Sequence, residues 1–102
     1  MDIFPKFIIE GDSLKLSKCT FHHQLVTDKL NVKGGGWFRY IIETNTFIFH
    51  GDSNDFGRAS LEDIKKCVEA KKVFRDRLKH RNISDRHNFA YDTGTEIINL
   101  NQ

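Results

Sequence analysis

The residues best suited to hold an anion lie in a short loop of the 102-residue chain. Ile48-Phe49-His50 predicts the end of a strand, and the glycine-bounded loop Gly51–Gly57 that follows contains Ser53. Ser60 followed by Asp63 has the spacing of a helix cap. Loop N–H groups and the positive end of a helix attract anions, so this pattern predicts a phosphate site. It lacks the Gly-Lys-Ser/Thr of a Walker loop, so a nucleoside triphosphate is not indicated there.

Two carboxylates in the same loop, Asp52 and Asp55, count against that interpretation. They would repel a phosphate unless they turn outward or take up a proton. A loop ordered only for structural reasons is therefore the alternative.

The histidines and cysteines are the other side chains with chemical potential. His22 and His23 are adjacent, and a neutral imidazole can accept a proton or a phosphoryl group near pH 7. With Cys19 they would still lack a fourth zinc ligand, so we expect no metal and no cofactor. Cys19 and Cys67 are far apart and lack metal-type spacing, which predicts free thiols.

The net charge of +2 hides an uneven distribution along the chain: residues 1–64 sum to −2 and residues 65–102 to +4. The basic residues of the second part are Lys65, Lys66, Lys71, Lys72, Arg75, Arg77, Lys79, Arg81 and Arg86. The solvated face of one amphipathic helix explains them; the alternative is a surface for nucleic acid or an acidic partner. The pI of 8.6 is below the value of about 9 that is typical of nucleic-acid-binding domains.

Composition and length indicate one folded domain. The chain is 38% hydrophobic and includes nine Phe and one Pro, which is enough apolar material for a single core. No apolar run is long enough to span a membrane, and the start of the chain lacks the pattern of an export segment. We therefore expect a cytoplasmic protein with no membrane partner.

In the first half of the chain, residues 3–9 predict a strand, in which Pro5 suits the start or an edge position. A turn and a short strand at Leu14–Leu16 follow. Phe21–Leu30 has the spacing of a helix, which Thr20 would cap. Three consecutive glycines at 34–36 then predict an interruption of regular structure.

In the second half, aromatic and β-branched runs at 37–42 and 46–50 predict a hairpin. A helix begins at Leu61 and is predicted to continue to about Lys79, because apolar residues recur at helical spacing. Its apolar positions are Leu61, Ile64, Cys67, Val68, Phe74 and Leu78. Residues 82–92 are polar and predicted to be irregular, and residues 96–100 could form a last strand. The prediction is thus a domain at 1–80 with a basic C-terminal extension at 81–102.

These motifs together resemble the Janus, or phosphohistidine phosphatase, family. Gly34–Gly36 leads through the hairpin into residues 47–59, which are similar to the family loop Gly-Tyr-Ser-x-x-Tyr-Gly-x-Ala. Residues 4–9 resemble its first strand, which contains a phosphate-contacting lysine. Phe21–Leu30 resembles its catalytic segment, Tyr-His-Ala-Asp-Ile-Tyr-Asp-Lys-Val. The likeness extends over about residues 3–72.

The resemblance implies a small α/β domain, a mixed β-sheet flanked by two helices, that removes phosphate from phosphohistidine or phospholysine side chains of a protein or peptide without a metal. By position, Lys6 contacts the phosphate, and Ser53 with the backbone of Asn54, Asp55 and Phe56 forms its cradle. A phosphoramidate is already activated, so such an enzyme mainly holds the phosphoryl oxygens and orients the attacking group.

The resemblance leaves two candidates for the catalytic histidine, which acts as general base or as nucleophile. Ungapped alignment through Asp28 selects His23, whereas matching Phe21 to the family aromatic selects His22. We favour His23, because Val26 then also falls on an apolar family position.

Departures from the family pattern weaken the catalytic inference more than the fold inference. Trp37 stands where the family has arginine; Arg39 lies two residues on, on the same strand face, and is the candidate substitute. Asp52 replaces a loop aromatic, and the segment before the glycines is short. The alternative function is a non-catalytic phage or bacterial interaction protein of this fold, which binds a host protein or nucleic acid through its basic 65–86 segment.

Overall fold

The chain folds around one mixed β-sheet in a computed structural model that describes residues 4–19, 21–75, 81–82 and 87–101. The strands are β1 (Phe4–Glu10), β2 (Ser13–Cys19), β3 (Val32–Ile41), β4 (Thr46–His50), β5 (Val73–Arg75), β6 (Arg81–Asn82), β7 (Asn88–Asp92) and β8 (Ile97–Asn99). Their order across the sheet is β6-β5-β2-β1-β3-β4-β7-β8. The β2/β5 and β4/β7 pairs are parallel, and the other neighbouring pairs are antiparallel.

Both faces of the central strand β1 are covered. Phe7, Ile8 and Ile9 are all buried, as expected for a strand inside a sheet that is packed on both sides. Phe7 and Ile9 belong to the main core with the helix α1 (Leu61–Glu69). Lys6 and Ile8 point to the opposite face because side chains alternate along a strand. The two faces thus differ in chemistry: one is an apolar core, and the other contains a buried lysine.

The predicted hairpin is confirmed as β3 and β4, in which Phe38 pairs with Phe49. The glycine triplet, however, does not interrupt regular structure. Gly34–Gly36 lies inside β3 and pairs with β1. A Cβ atom at Gly35 would stand 2.6 Å from the Phe7 carbonyl oxygen, so glycine permits the close approach of these two strands.

The first predicted helix is wrong. Instead of a helix over Phe21–Leu30, two 3-10 turns occur at His22–Leu25 and Lys29–Asn31, and Thr20 lies outside the described residues. A segment this short gains few helical hydrogen bonds for the cost of nucleation, and extended Val26 separates the two turns. Among the described residues, the sheet is therefore flanked by one α-helix and not by two.

The second helix begins where predicted, with the Ser60 side chain accepting a hydrogen bond from the Asp63 N–H at 3.0 Å. It ends at Glu69, well before the predicted end near Lys79. The apolar stripe stops after Val68, because the next positions on that face are lysines. The chain then enters β5, whose Val73 is fully buried.

The segment at 82–92, predicted to be irregular, contains β7. Phe89 and Tyr91 on this strand lie in the core, and β7 pairs with β4. β8 lies within the segment predicted to form a last strand, and Leu100 after it is fully buried. No helix of the described residues is long and apolar enough to cross a membrane.

Candidate functional site

Lys6 is a buried cation on the sheet face opposite the main core. Its side chain is only 5% exposed. Its Nζ donates a hydrogen bond to the Cys19 carbonyl oxygen at 3.3 Å and lies 4.1 Å from the centre of the Trp37 ring, over its face. Trp37 is the direct cross-strand partner of Lys6. The tryptophan that departs from the family pattern thus holds the ammonium group by a cation–π contact.

His22 is buried on the same face. The first 3-10 turn places its ring against Gly35, where an added Cβ would come within 3.2 Å of Cδ2. Its Nε2 lies 2.7 Å from the Gly36 carbonyl oxygen, and its ring meets Trp37 edge-on at 6.2 Å between centroids. A carbonyl oxygen only accepts hydrogen bonds, so Nε2 is the protonated nitrogen of the neutral ring.

The other ring nitrogen of His22 is available for chemistry. Nδ1 has no hydrogen-bond partner among the described residues. Among the described residues, every fully buried side-chain nitrogen or oxygen atom that belongs to a residue not itself exposed has a hydrogen-bond partner. Because Nδ1 has no such partner, it is not fully buried and reaches solvent. The ring is therefore anchored through one nitrogen and presents the lone pair of the other.

The surroundings of His22 favour its neutral form. Burial lowers the pKa of His22, and the positive charge of Lys6 lowers it further. The hydrogen bond to Gly36 and the charges of Asp55 and Asp52 act in the opposite direction, but the pKa remains below its ordinary value. A neutral imidazole next to an ammonium group is suited to attack a bound anionic group, or to remove a proton from a water molecule beside it.

His23 faces a different environment. It is exposed, its ring stacks on Phe21 at 5.3 Å between centroids, and its Nδ1 lies 3.9 Å from Asp55 Oδ2. The two histidines therefore point into separate surroundings.

The loop predicted to cradle phosphate uses its own serine as an internal acceptor. Ser53 is 3% exposed, and its Oγ accepts hydrogen bonds from the N–H groups of Asp55 and Phe56, both at 3.2 Å. Asn54 at the tip is exposed. The loop closes through paired backbone hydrogen bonds between Ser53 and Gly57. Two of the three N–H groups of the predicted cradle are thus preoriented around a hydroxyl group, at distances longer than usual for N–H···O bonds.

The loop and His22 are anchored to neighbouring glycines of β3. The Gly57 carbonyl oxygen accepts a hydrogen bond from the Gly35 N–H at 3.0 Å, and the Ala59 N–H donates to the Gly35 carbonyl oxygen at 3.2 Å. Gly36 holds His22. This shared anchoring places the loop and the histidine next to each other, and sequence spacing alone could not reveal it.

A cavity of about 430 Å³ opens between the turn and the loop. Its lining residues are His23, Val26, Thr27, Lys29, Asp55 and Phe56. The volume is within the usual range for ligand sites. Residues of a substrate peptide that flank its reacting side chain would find both apolar and charged contacts in this cavity.

Arg39, the predicted substitute for the family arginine, is engaged elsewhere. Its guanidinium donates to Asp92 Oδ2 on β7 at 3.2 Å. A hydrogen bond from the Gly94 N–H, and then Arg39, lower the pKa of Asp92. Burial and then the charge of Arg39 lower the pKa of nearby His50. The charge of Arg39 is balanced within this cluster, so Lys6 is the predicted phosphate-binding cation that lies beside His22.

The basic segment does not form a single helix face. Lys65 and Lys66 lie on α1, whereas Lys71 and Lys72 follow it and Arg75 ends β5; all five are exposed. Lys66 pairs with Glu62 at 3.5 Å. Arg81 begins β6. Residues 76–80 and 83–86, with the remaining predicted cations Arg77, Lys79 and Arg86, lie outside the described residues.

Within the described ranges, no three His, Cys, Asp or Glu side chains are grouped so that they could hold a metal ion. Comparison of the chain with family models, curated proteins and solved structures found no match.

Proposed function

We propose that the protein is a metal-independent phosphatase acting on phosphohistidine or phospholysine side chains, with His22 as the reacting group. The observation that carries this proposal is the hydrogen bond from His22 Nε2 to the Gly36 carbonyl oxygen. It fixes the tautomer and leaves Nδ1 with a lone pair, beside the ammonium group of Lys6.

The reaction breaks the P–N bond of the phosphorylated side chain. In the nucleophilic form, His22 Nδ1 attacks phosphorus, the departing nitrogen takes up a proton from water, and a second water releases phosphate from His22. In the general-base form, Nδ1 takes the proton of the water that attacks phosphorus and then gives it to the departing nitrogen. In either form Lys6 would stabilise charge on the phosphoryl oxygens, and the N–H groups of Asp55 and Phe56 would do so once they exchange Ser53 Oγ for a phosphoryl oxygen.

His22 is preferred to His23 because of their surroundings. The ring of His23 is exposed, is stacked on Phe21 and lies near a carboxylate. A carboxylate beside the reacting nitrogen would repel the phosphoryl group. His23 instead provides a matched control, since it is the same residue type in the same turn.

The experiment is release of phosphate from a phosphohistidine peptide and from a phospholysine peptide. We expect His22→Asn to lower the rate by about 100-fold or more, while His23→Asn retains most activity, with circular dichroism confirming that both variants fold. Lys6→Met should also lose activity. Acid-labile 32P on the wild-type protein would identify the nucleophilic form. No release by wild type at high enzyme concentration would refute the function, and loss only in His23→Asn would refute the assignment.

A further inference from the structure

A second cavity, of about 340 Å³, lies on the face of the sheet that carries the main core. Its lining residues are Ser17, Lys18, Phe38, Tyr40, Phe47 and Arg75. Phe38 follows Trp37 along β3 and so points to the opposite face from Lys6 and His22. The cavity is therefore separate from the proposed catalytic site.

One side of this cavity is cationic. Lys18 on β2 and Arg75 on β5 are exposed. Arg75 pairs with Leu16 on the neighbouring parallel strand, and Lys18 lies two residues after Leu16, so the side chains of Lys18 and Arg75 are on the same face of the sheet. Neither cation forms a salt bridge with a described residue, whereas Lys15 is paired with Glu10. No carboxylate is among the lining residues that the structure describes. An anion would meet two cations that no described carboxylate neutralises.

The other side of the cavity is aromatic. Phe38 and Phe47 are 8% and 2% exposed and form part of the core, whereas Tyr40 is 41% exposed. The Tyr40 ring packs on Phe47 at 4.7 Å between centroids, and its hydroxyl group donates a hydrogen bond to Asn45 Oδ1. Two contacts therefore hold an exposed ring in a fixed orientation, which reduces the entropy lost when a planar ligand stacks on it.

We propose that this cavity binds a nucleotide unit, with the base stacked on Tyr40 and the phosphate between Lys18 and Arg75. Aromatic platforms next to cations are how proteins bind nucleotides without reading base sequence. The volume of the cavity fits a small ligand of this size. A free mononucleotide and one unit of a single-stranded nucleic acid present the same chemistry.

The experiment is calorimetric titration of the full chain with AMP, with its two halves, adenosine and ribose 5-phosphate, and with a single-stranded (dT)12 oligonucleotide. We expect AMP or (dT)12 to bind at least about tenfold more tightly than either half, because stacking and charge contribute together. Tighter binding of AMP than of (dT)12 would identify the free nucleotide as the source, and the reverse order would identify the strand.

Three variants, Lys18→Gln, Arg75→Gln and Tyr40→Leu, should each weaken this binding by about tenfold. Lys29→Gln, an exposed lysine at the other cavity, is the matched control and should bind normally. For (dT)12, each lost cation should also reduce the slope of log affinity against log salt by about 1.

The proposal would be overturned if neither AMP nor (dT)12 bound at millimolar concentration, or if AMP and ribose 5-phosphate bound equally well. Unchanged binding in a triple variant that combines the Lys18, Arg75 and Tyr40 substitutions would also overturn it. Phosphate release from the phosphohistidine peptide should be unaffected by the substitutions of Lys18, Arg75 and Tyr40. Failure of this proposal can thus be told apart from failure of the proposed phosphatase activity.

Discussion

At the scale of single residues, the site depends on which way one turn directs two adjacent histidines. His22 is 5% exposed and bonded to a backbone carbonyl group, and His23 is exposed. Alignment to a family pattern pointed to either histidine, depending on whether Phe21 or Asp28 was matched. A tight 3-10 turn in place of a regular helix changes which ring faces the sheet. That is why the alignment favoured His23, whereas burial and hydrogen bonding favour His22 for the proposed role.

The lowered pKa of His22 predicts a pH dependence. The ordinary pKa of a histidine is 6.5, and the ring of His22 should remain neutral somewhat below that pH. Phosphatase activity should be lost only as the pH falls through the lower pKa of His22 in the folded protein. In the unfolded chain the His22 ring takes up a proton near pH 6.5, which is a higher pH than in the folded protein. The stability that the neutral ring contributes is therefore complete above pH 6.5 and declines as the pH falls from there toward the folded-state pKa. NMR titration of the His22 ring measures the midpoint; a midpoint at or above 6.5 would contradict the prediction.

Gly35→Ala should destabilise the protein and disturb His22. The new Cβ would meet the Phe7 carbonyl oxygen at 2.6 Å and His22 Cδ2 at 3.2 Å. Backbone cannot yield as a flexible side chain does, so we expect a loss of about 1–3 kcal/mol in the free energy of unfolding. Urea denaturation measures the loss, and the NMR signals of the His22 ring report its displacement. An unchanged denaturation midpoint would show that β1 and β3 can separate without cost.

At the scale of elements, sequence predicted what depends on neighbours along the chain and missed what depends on distant partners. The hairpin of β3 and β4 follows from alternating residues and a short loop. β7 was missed because only Phe89–Tyr91 is apolar, and its strand character comes from parallel pairing with β4. The continuation of β3 through Gly34–Gly36 likewise depends on β1, which lies beside it.

The same distinction applies to the site. The Ser53 loop and the cap of α1 are local features and were recognised from sequence. The contact of Lys6 with Trp37 requires the register between β1 and β3, which no pattern in either strand specifies.

The helix cap gives a prediction at this scale. Ser60→Ala removes the oxygen that accepts the Asp63 N–H and should lower the free energy of unfolding by about 1 kcal/mol. Ser60→Asp is the control, because aspartate caps as well as serine and should retain most of the stability. Equal stability of the alanine and aspartate variants would show that the cap is not needed.

At the scale of the whole molecule, stability depends on a core shared by most strands and the single α-helix of the described residues. Phe49 is fully buried and contacts Phe7 edge-on at 5.0 Å and Phe89 by stacking at 6.2 Å. It therefore connects β1, β4 and β7. A chain of this size has a total stability of about 5–15 kcal/mol, so losing one such residue is serious.

Phe49→Ala should cost about 3–5 kcal/mol, from lost transfer energy and a residual cavity. Ile42→Ala is the control: this residue is 79% exposed, so its loss should change stability by less than about 0.5 kcal/mol. Thermal unfolding followed by circular dichroism compares the two. Similar melting temperatures would mean that the core relaxes around the missing ring.

The arrangement of parallel and antiparallel pairs has a consequence for synthesis on the ribosome. The four central strands, β1 to β4, come from the first half of the chain and pair only in antiparallel fashion with one another. β5 and β7 then extend this central unit in parallel on its two sides, and each closes a long loop. We expect the nascent chain to form the central sheet first, while its two flanks are completed only after the C-terminal residues emerge.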